Sequence, residues 1–353
     1  MNYINLMKRC FELAKKAEGH VSPNPLVGCV IVDNDGDIIS EGFHEQYGSN
    51  HAERNAILKA DDKLLKNSIL VVNLEPCSHF GKTPPCADLI VEKGIKKVVI
   101  GMKDVNPIVA GNGIKKLKDA GIEVVEGVLE DDCKSLNEIF IKNMTEHKTF
   151  VAIKTATTID GKIAAFNGSS KWITSDKARE HVKFIRNRYD AILTSSATVL
   201  ADNPHMVHKK KIILDRSLKT DFDNAEIYKT GLSYVFYDEK LIPPQNRSNI
   251  LFIPAKTNAD KLDLKFVLAK IYEFGIMSVL VESGGKLNGS FLDFTDKIYQ
   301  FIAPKILGDN KGLSCFDYRS VNSIDAAIKF EIEDVQRFVP DILITYKNKS
   351  YKN

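Results

Sequence analysis

The sequence predicts an α/β protein in two domains, on three observations. Strand-like and helix-like segments alternate with short connections, the pattern of a layered α/β architecture with a largely parallel sheet. A length of 353 residues suffices for two domains of ordinary size. A polar stretch, "TEHKT" (145–149), separates two such series and divides the chain into 1–146 and 147–353. No internal repeat relates the halves.

The first half opens with a helix on which Ile4, Met7, Phe11 and Ala14 recur at helical spacing until Gly19. "LVGCVIVDNDGDIISEG" reads as a hairpin turning at Asn34-Asp35-Gly36. "HAERNAILKA" follows as a helix, "SILVVNL" as a buried strand and "CADLIVEKG" as a helix stopped by Gly94. "KKVVIG", "GIKKLKDAG" and "IEVVEGVL" continue the alternation as strand, helix and strand. "EDDCKSLNEIFIKNM" closes the half as one helix with an acidic first turn, which suits the helix dipole.

In the second half "FVAIKTATTIDGKIA" opens with a strand, and "SDKAREHVKFIRNR" is a helix capped by Ser175 or Asp176. "DAILTSS", "KKIILD", "LSYVFY" and "NILFIP" read as strands, and "LDLKFVLAKIYEFG" as a helix feeding the strand "IMSVLVE". "KIYQFIAPKIL" and "PDILITYK" are the last two strands.

Hydrophobic residues at 44%, charged residues at 27% and a net charge of +3 describe an ordinary globular chain with no call for a nucleic-acid or membrane partner. There is no apolar run near the length of a membrane span and no signal peptide, so a cytoplasmic location with reduced thiols is expected. Six cysteines are too sparse for a disulfide scaffold.

"NLEPCSHFGKTPPCADLI" (73–90) nevertheless sets Cys77 and Cys86 in one polar loop, with His51-Ala52-Glu53 upstream. A disulfide is the weakest reading, which leaves a zinc site or two core thiols. One imidazole and two thiolates give Zn²⁺ three ligands and keep the fourth position for water, the arrangement of a catalytic zinc. Zinc brings the pKa of that water to about 7, and Glu53, itself no ligand, takes its proton and returns it to a leaving amine. This is the logic of the zinc deaminases, with signature H-x-E…P-C-x-x-C. A closed structural site would recruit His79 as fourth ligand, but Glu53 has no purpose there. Cys10, Cys29, Cys133 and Cys315 lie in apolar patterns and read as core residues. In the second half no G-x-G-x-x-G follows a strand. "ESGGKLNGS" (282–290) comes nearest, a strand end with glycines and a helix whose N–H groups suit a phosphate.

The first-half cysteines have eight residues between them instead of two, and here a resemblance enters. "PNPLVGCVIV", "GFHEQYGSNHAE", "LEPCSHFGKTPPC" and "DVNPIVAGNG" together resemble the bifunctional deaminase–reductases of riboflavin biosynthesis. "KTATTIDGKIA", "SSKWITSDKAREH", "DAILTSSATVLADNP", "LVESGGKLNGSF" and "APKILGDN" resemble the reductase half of the same family. The resemblance implies a cytidine-deaminase-like domain, a mixed sheet with helices on both faces, followed by a dihydrofolate-reductase-like α/β domain. It implies zinc on His51, Cys77 and Cys86, a proton shuttle on Glu53, and NADPH as the second cofactor. Substrate contacts in the first half would be Asn24, His44, His79, Lys82 and Thr83. NADPH would meet Ala156, Trp172, Thr198, Asp202 and the turn Gly284, Gly285, Lys286, Leu287, Asn288, Gly289 and Ser290. In the second half the substrate would meet Ser170, Arg186, Met206, Lys209 and Glu282, with Lys154 and Asp160 as candidate acids. Without the resemblance, Trp172 would read as a core aromatic.

Two departures stand out: the family usually has Arg at Lys209, and Ser-Leu-Asp-Gly where this chain has Thr-Ile-Asp-Gly. A lysine keeps the charge and loses the bidentate fork.

The implied reaction is hydrolysis of the amine of 2,5-diamino-6-(5-phosphoribosylamino)pyrimidin-4(3H)-one, then reduction of its ribosyl group to ribityl. The expected partners are this small molecule and further copies of the chain, as a dimer or tetramer. A nucleic-acid base deaminase with a C-terminal binding module is the alternative reading, and the absence of a basic stripe interleaved with aromatics stands against it.

Overall fold

A computed structural model describes residues 1–79, 84–107, 110–317 and 319–349. The chain folds as two compact units, Met1–His147 and Lys148–Asn353.

The first unit runs α1 Tyr3–Lys15, β1 Gly28–Val32, β2 Ile38–Phe43, α2 Ala52–Lys59, α3 Asp62–Leu65, β3 Ile69–Leu74, α4 Cys86–Glu92, β4 Lys97–Met102, α5 Asn112–Asp119, β5 Glu123–Val125, α6 Glu130–Leu136 and α7 Glu138–Glu146. Its sheet has the order β2-β1-β3-β4-β5. The pairs β1–β2 and β1–β3 are antiparallel, while β3–β4 and β4–β5 are parallel. The sheet is therefore mixed rather than largely parallel. Every residue of β1 and β3 is buried, as strands covered on both faces require. The hairpin turns where the Asp33 carboxylate accepts from the N–H groups of Asp35, Gly36 and Asp37, with Gly36 at φ +99°.

Two local expectations are corrected. The buried stripe of α1 is Met7, Cys10, Leu13 and Ala14, and Ile4 is half exposed, because the helix turns its cysteine face to β1 and β3. The single closing helix is two, broken at Asn137. That side chain leaves helical geometry to accept from Leu26 N–H at 2.8 Å and donate to Leu26 O at 3.1 Å.

The second unit runs β6 Phe150–Thr157, β7 Lys162–Ala164, α8 Asp176–Asn187, β8 Ala191–Ser195, α9 Ser196–Asp202, β9 Lys210–Leu214, β10 Leu232–Asp238, β11 Ile250–Ala255, β12 Thr257–Asn258, β13 Lys261–Leu262, α10 Leu264–Glu273, β14 Ser278–Val281, α11 Gly285–Phe291, β15 Lys297–Ile302, β16 Leu313–Ser314, β17 Phe330–Phe338 and β18 Asp341–Asn348. Its main sheet has the order β11-β10-β9-β8-β14-β6-β15-β18-β17, parallel from β11 through β15 and antiparallel beyond. Alternate residues feed separate cores. Ala191, Leu193, Ile212 and Phe236 pack into one cluster, and Ile192, Ile213 and Val235 into another, as the two-residue period of a strand dictates. Ser175 is the N-cap of α8, accepting from Ala178 N–H. Among the described residues no helix is long and apolar enough to cross a membrane.

Candidate functional site

In the first unit, β3 ends into Glu75-Pro76-Cys77, and the parallel β3–β4 connection brings the start of α4 back to that edge. Cys86 is the first residue of α4, and its N–H donates to Cys77 Sγ at 3.3 Å. His51 is the N-cap of α2. Its Nδ1 lies 3.4 Å from Cys77 Sγ and 3.5 Å from Cys86 Sγ. The ligand atoms of these three residues lie within 4.8 Å of one another, the one such His/Cys/Asp/Glu group among the described residues. A nitrogen and two sulfurs drawn this close fit a borderline-soft tetrahedral ion such as zinc. His79 is exposed and outside the group, and among the described residues no fourth His, Cys, Asp or Glu joins it.

The charges of the group follow from its contacts. The Cys86 thiol and His51 hold Cys77 well below the usual thiol range, and Cys86 is pushed up by its bond to Cys77 and by burial. Glu53 sits on the first turn of α2 and is 3% exposed. Burial pushes its carboxyl up to about 7, where it can both take and give a proton near neutral pH. His44 is also buried, and its pKa is lowered by that burial. Its Nδ1 lies 3.0 Å from Asn50 O, which can only accept, so Nδ1 carries the hydrogen. Nε2 then accepts from Asn24 Nδ2 at 3.0 Å, and the ring stands edge-on to His51 with centroids 5.6 Å apart. Asn24 and His44 thus join the cluster. Lys82 and Thr83 lie outside the described residues.

The second unit has a cavity of about 2300 Å³ where the parallel strands end, the ligand position of open α/β sheets. Lys154, Ala156, Ser170, Trp172, Arg186, Thr198, Asp202, Met206 and Glu282 line it, with Gly284, Gly285, Lys286, Leu287 and Ser290. Trp172 is 63% exposed, with the Arg179 guanidinium 4.2 Å from its ring centroid, so it is no core aromatic. Glu282 is buried, and Arg186 donates to it through Nε at 2.6 Å and Nη2 at 2.9 Å. Lys154 Nζ lies 2.9 Å from Glu282 Oε2, the oxygen that Arg186 Nη2 also reaches. Burial opposes the charge, but Lys154 and Arg186 overcome it and hold the Glu282 carboxyl down at about 2. Arg186 thus forms a two-point ion pair with Glu282 through Nε and Nη2.

Four expected residues do not line the cavity. Lys209 is exposed beyond it, and Asn288 and Gly289 are buried on the inner face of α11. Asp160 is a turn anchor: it accepts from Thr158 Oγ1 at 2.6 Å and from the N–H groups of Leu307 and Gly308. The Thr158 bond and these backbone donors hold its carboxyl below the usual carboxylate range. Sequence reasoning missed Ser195 and Ser283, whose hydroxyls lie 2.8 Å apart and meet Thr198 Oγ1 at 3.2 and 3.0 Å. The run "TSSAT", a strand end followed by a hydroxyl N-cap, was the available signal.

These features define a two-unit enzyme, a metal-dependent hydrolase joined to a nucleotide-dependent oxidoreductase. Residues 1–102 match the cytidine and deoxycytidylate deaminase zinc-binding region, and residues 149–344 match the RibD C-terminal domain. The chain belongs to the RibD family. It is 40% identical to the riboflavin biosynthesis protein RibD of Actinobacillus pleuropneumoniae, over 98% of this chain and 95% of that one. It is also similar to the crystal structure of a Thermotoga maritima diaminohydroxyphosphoribosylaminopyrimidine deaminase/5-amino-6-(5-phosphoribosylamino)uracil reductase, at TM-score 0.88 and 41% identity, covering 98% of each chain. A RibD from Acinetobacter baumannii matches at TM-score 0.85 and 32% identity, over 98% of this chain and 99% of that one. The second unit is thus the reductase domain of this family.

Proposed function

We propose that the chain carries out two successive steps of riboflavin biosynthesis. It deaminates 2,5-diamino-6-(5-phosphoribosylamino)pyrimidin-4(3H)-one with water, releasing ammonia, and reduces the ribosyl group of the product to ribityl. The observation that carries this reading is the cluster of His51, Cys77 and Cys86 with buried Glu53 beside it, in one chain with the cavity of a RibD-type reductase. His51, Cys77 and Cys86 would hold a zinc ion, which would supply Lewis acidity for the attack of water at neutral pH. Glu53 receives the proton of the attacking water and delivers it to the departing amine. Asn24, oriented by His44, holds the pyrimidine edge. NADPH bound along the turn that begins at Gly284 would supply the hydride in the second unit. There the open-chain imine gains hydride at the former anomeric carbon and a proton at nitrogen, with Lys154, ion-paired with Glu282, as the donor of that proton. The protein works on small molecules in the cytoplasm, without nucleic acid or membrane, as a homo-oligomer. The direct test is stoichiometry: each diaminopyrimidine consumed releases about one ammonia and then oxidises about one NADPH. Ammonia without NADPH oxidation in zinc-loaded protein refutes the two-step reading.

The Gly284–Gly285 pair separates cofactor contact from folding. At Gly285 an added Cβ would lie 2.0 Å from Ser314 O, whereas at Gly284 it would meet nothing within 4 Å and φ is −71°. Gly284→Ala is therefore expected to leave thermal stability unchanged and to weaken NADPH binding about tenfold or more by blocking its approach to the turn. Unchanged NADPH affinity by fluorescence titration would take the turn out of the cofactor site.

A further inference from the structure

We infer that Glu75 is a positioning residue of the deaminase site, fixing the turn that carries Cys77 by bonding a second loop to it. This inference rests on the zinc reading above. Glu75 is 3% exposed, and its own N–H donates to Met102 O at 3.0 Å, so its main chain continues β3 along β4. Its side chain turns to the segment after β4. Oε2 accepts from Asp104 N–H at 3.1 Å and Gly111 N–H at 2.9 Å, and Oε1 accepts from Ile114 N–H at 3.1 Å. Among the described residues no lysine or arginine forms an ion pair with it. A buried carboxylate is costly unless its lone pairs are used, and three charge-assisted N–H bonds use them.

The partners are not arbitrary. Gly111 is the N-cap of α5 and has no side chain to cap with, and Ile114 is the third residue of that helix. Glu75 supplies from outside the acceptor and negative charge that a helix start favours. The close fit is checked by a second contact: a Cβ on Gly113 would lie 2.0 Å from Pro76 O. The first turn of α5 therefore rests on the backbone just before Cys77. Further along, Lys116 of α5 is ion-paired with Asp88 of α4, the helix that begins at Cys86. Both thiol ligands are thus referred to one body, and Glu75 is the buried link on the Cys77 side. Groups that orient metal ligands typically change metal affinity or activity about ten- to a hundredfold when altered.

The test uses full-length, zinc-loaded protein at a temperature where every variant is folded by circular dichroism. Zinc release to a chromogenic chelator is expected to speed up about ten- to a hundredfold in Glu75→Ala. Glu75→Gln keeps the shape and one acceptor oxygen, and is expected to fall between Glu75→Ala and the parent. NADPH oxidation on the deaminated pyrimidine should stay at the parent rate in both. A purely structural cap would lower the melting temperature and leave the release rate alone, and that result in folded Glu75→Ala overturns the inference. Should Glu75→Ala fail to fold, parent-like release from Glu75→Gln overturns it instead. A parent chain that holds no zinc would contradict the metal reading itself, a separate outcome.

Discussion

Glu53→Gln is expected to lower deamination by about a hundred- to ten-thousandfold, the usual contribution of a general acid–base residue. The change keeps shape and polarity and leaves His51, Cys77 and Cys86 in place, so zinc should stay near one per chain. Glu53 is buried with its carboxyl raised to about 7, where one group serves both proton transfers. Glutamine cannot carry a proton in either direction. NADPH oxidation on the deaminated pyrimidine should be unchanged, since that chemistry belongs to Lys148–Asn353. A zinc-loaded Glu53→Gln protein that deaminates at the parent rate would remove Glu53 from the mechanism.

Glu282→Ala should have the second large effect, on both stability and reduction. It leaves Lys154 and Arg186, only 16% and 24% exposed, facing each other without the carboxylate that joins them. Removing one partner of such a buried group costs about 3–5 kcal/mol. The lowered pKa gives a consistent figure: a fall from 4.5 to about 2 corresponds to roughly 3 kcal/mol. The sign sets the pH window. Folding lowers this carboxyl, so its contribution is complete above pH 4.5 and is lost as the pH falls toward 2. Urea titrations of the Lys148–Asn353 unit should show the stability gap between parent and Glu282→Ala at pH 7 shrinking on acidification. A gap that stays constant from neutral to acid pH would contradict the ion-pair account. NADPH oxidation should fall with the substitution, because Lys154 loses the group that orients it.

The metal group was legible in the sequence because His51 and Cys86 sit at helix starts and Cys77 at a strand end, places that local patterns mark. Glu75 was not, although it stands two residues before Cys77. Its partners Asp104, Gly111 and Ile114 are brought to it only by the β3–β4 pairing. Asp160 is the opposite case: its turn is conspicuous in the sequence, but the Leu307 and Gly308 donors that hold it come from a distant segment. Strand β17 carried no periodic signal, since "FEIEDVQRF" lies at the sheet edge with both faces largely exposed. The ion pair of Arg186 with Glu282, residues from distant segments, likewise exists only in the folded cavity.

The central claim is that one chain holds two chemically separate sites in series, the first dependent on metal and the second not. It is tested most directly by stripping zinc from folded, full-length protein and following NADPH oxidation with each pyrimidine in turn. The stripped protein is expected to oxidise NADPH at the parent rate with 5-amino-6-(5-phosphoribosylamino)uracil and not at all with the diamino compound, with zinc restoring the latter. Equal rates on both compounds without zinc, or loss of both in protein that remains folded, would contradict it.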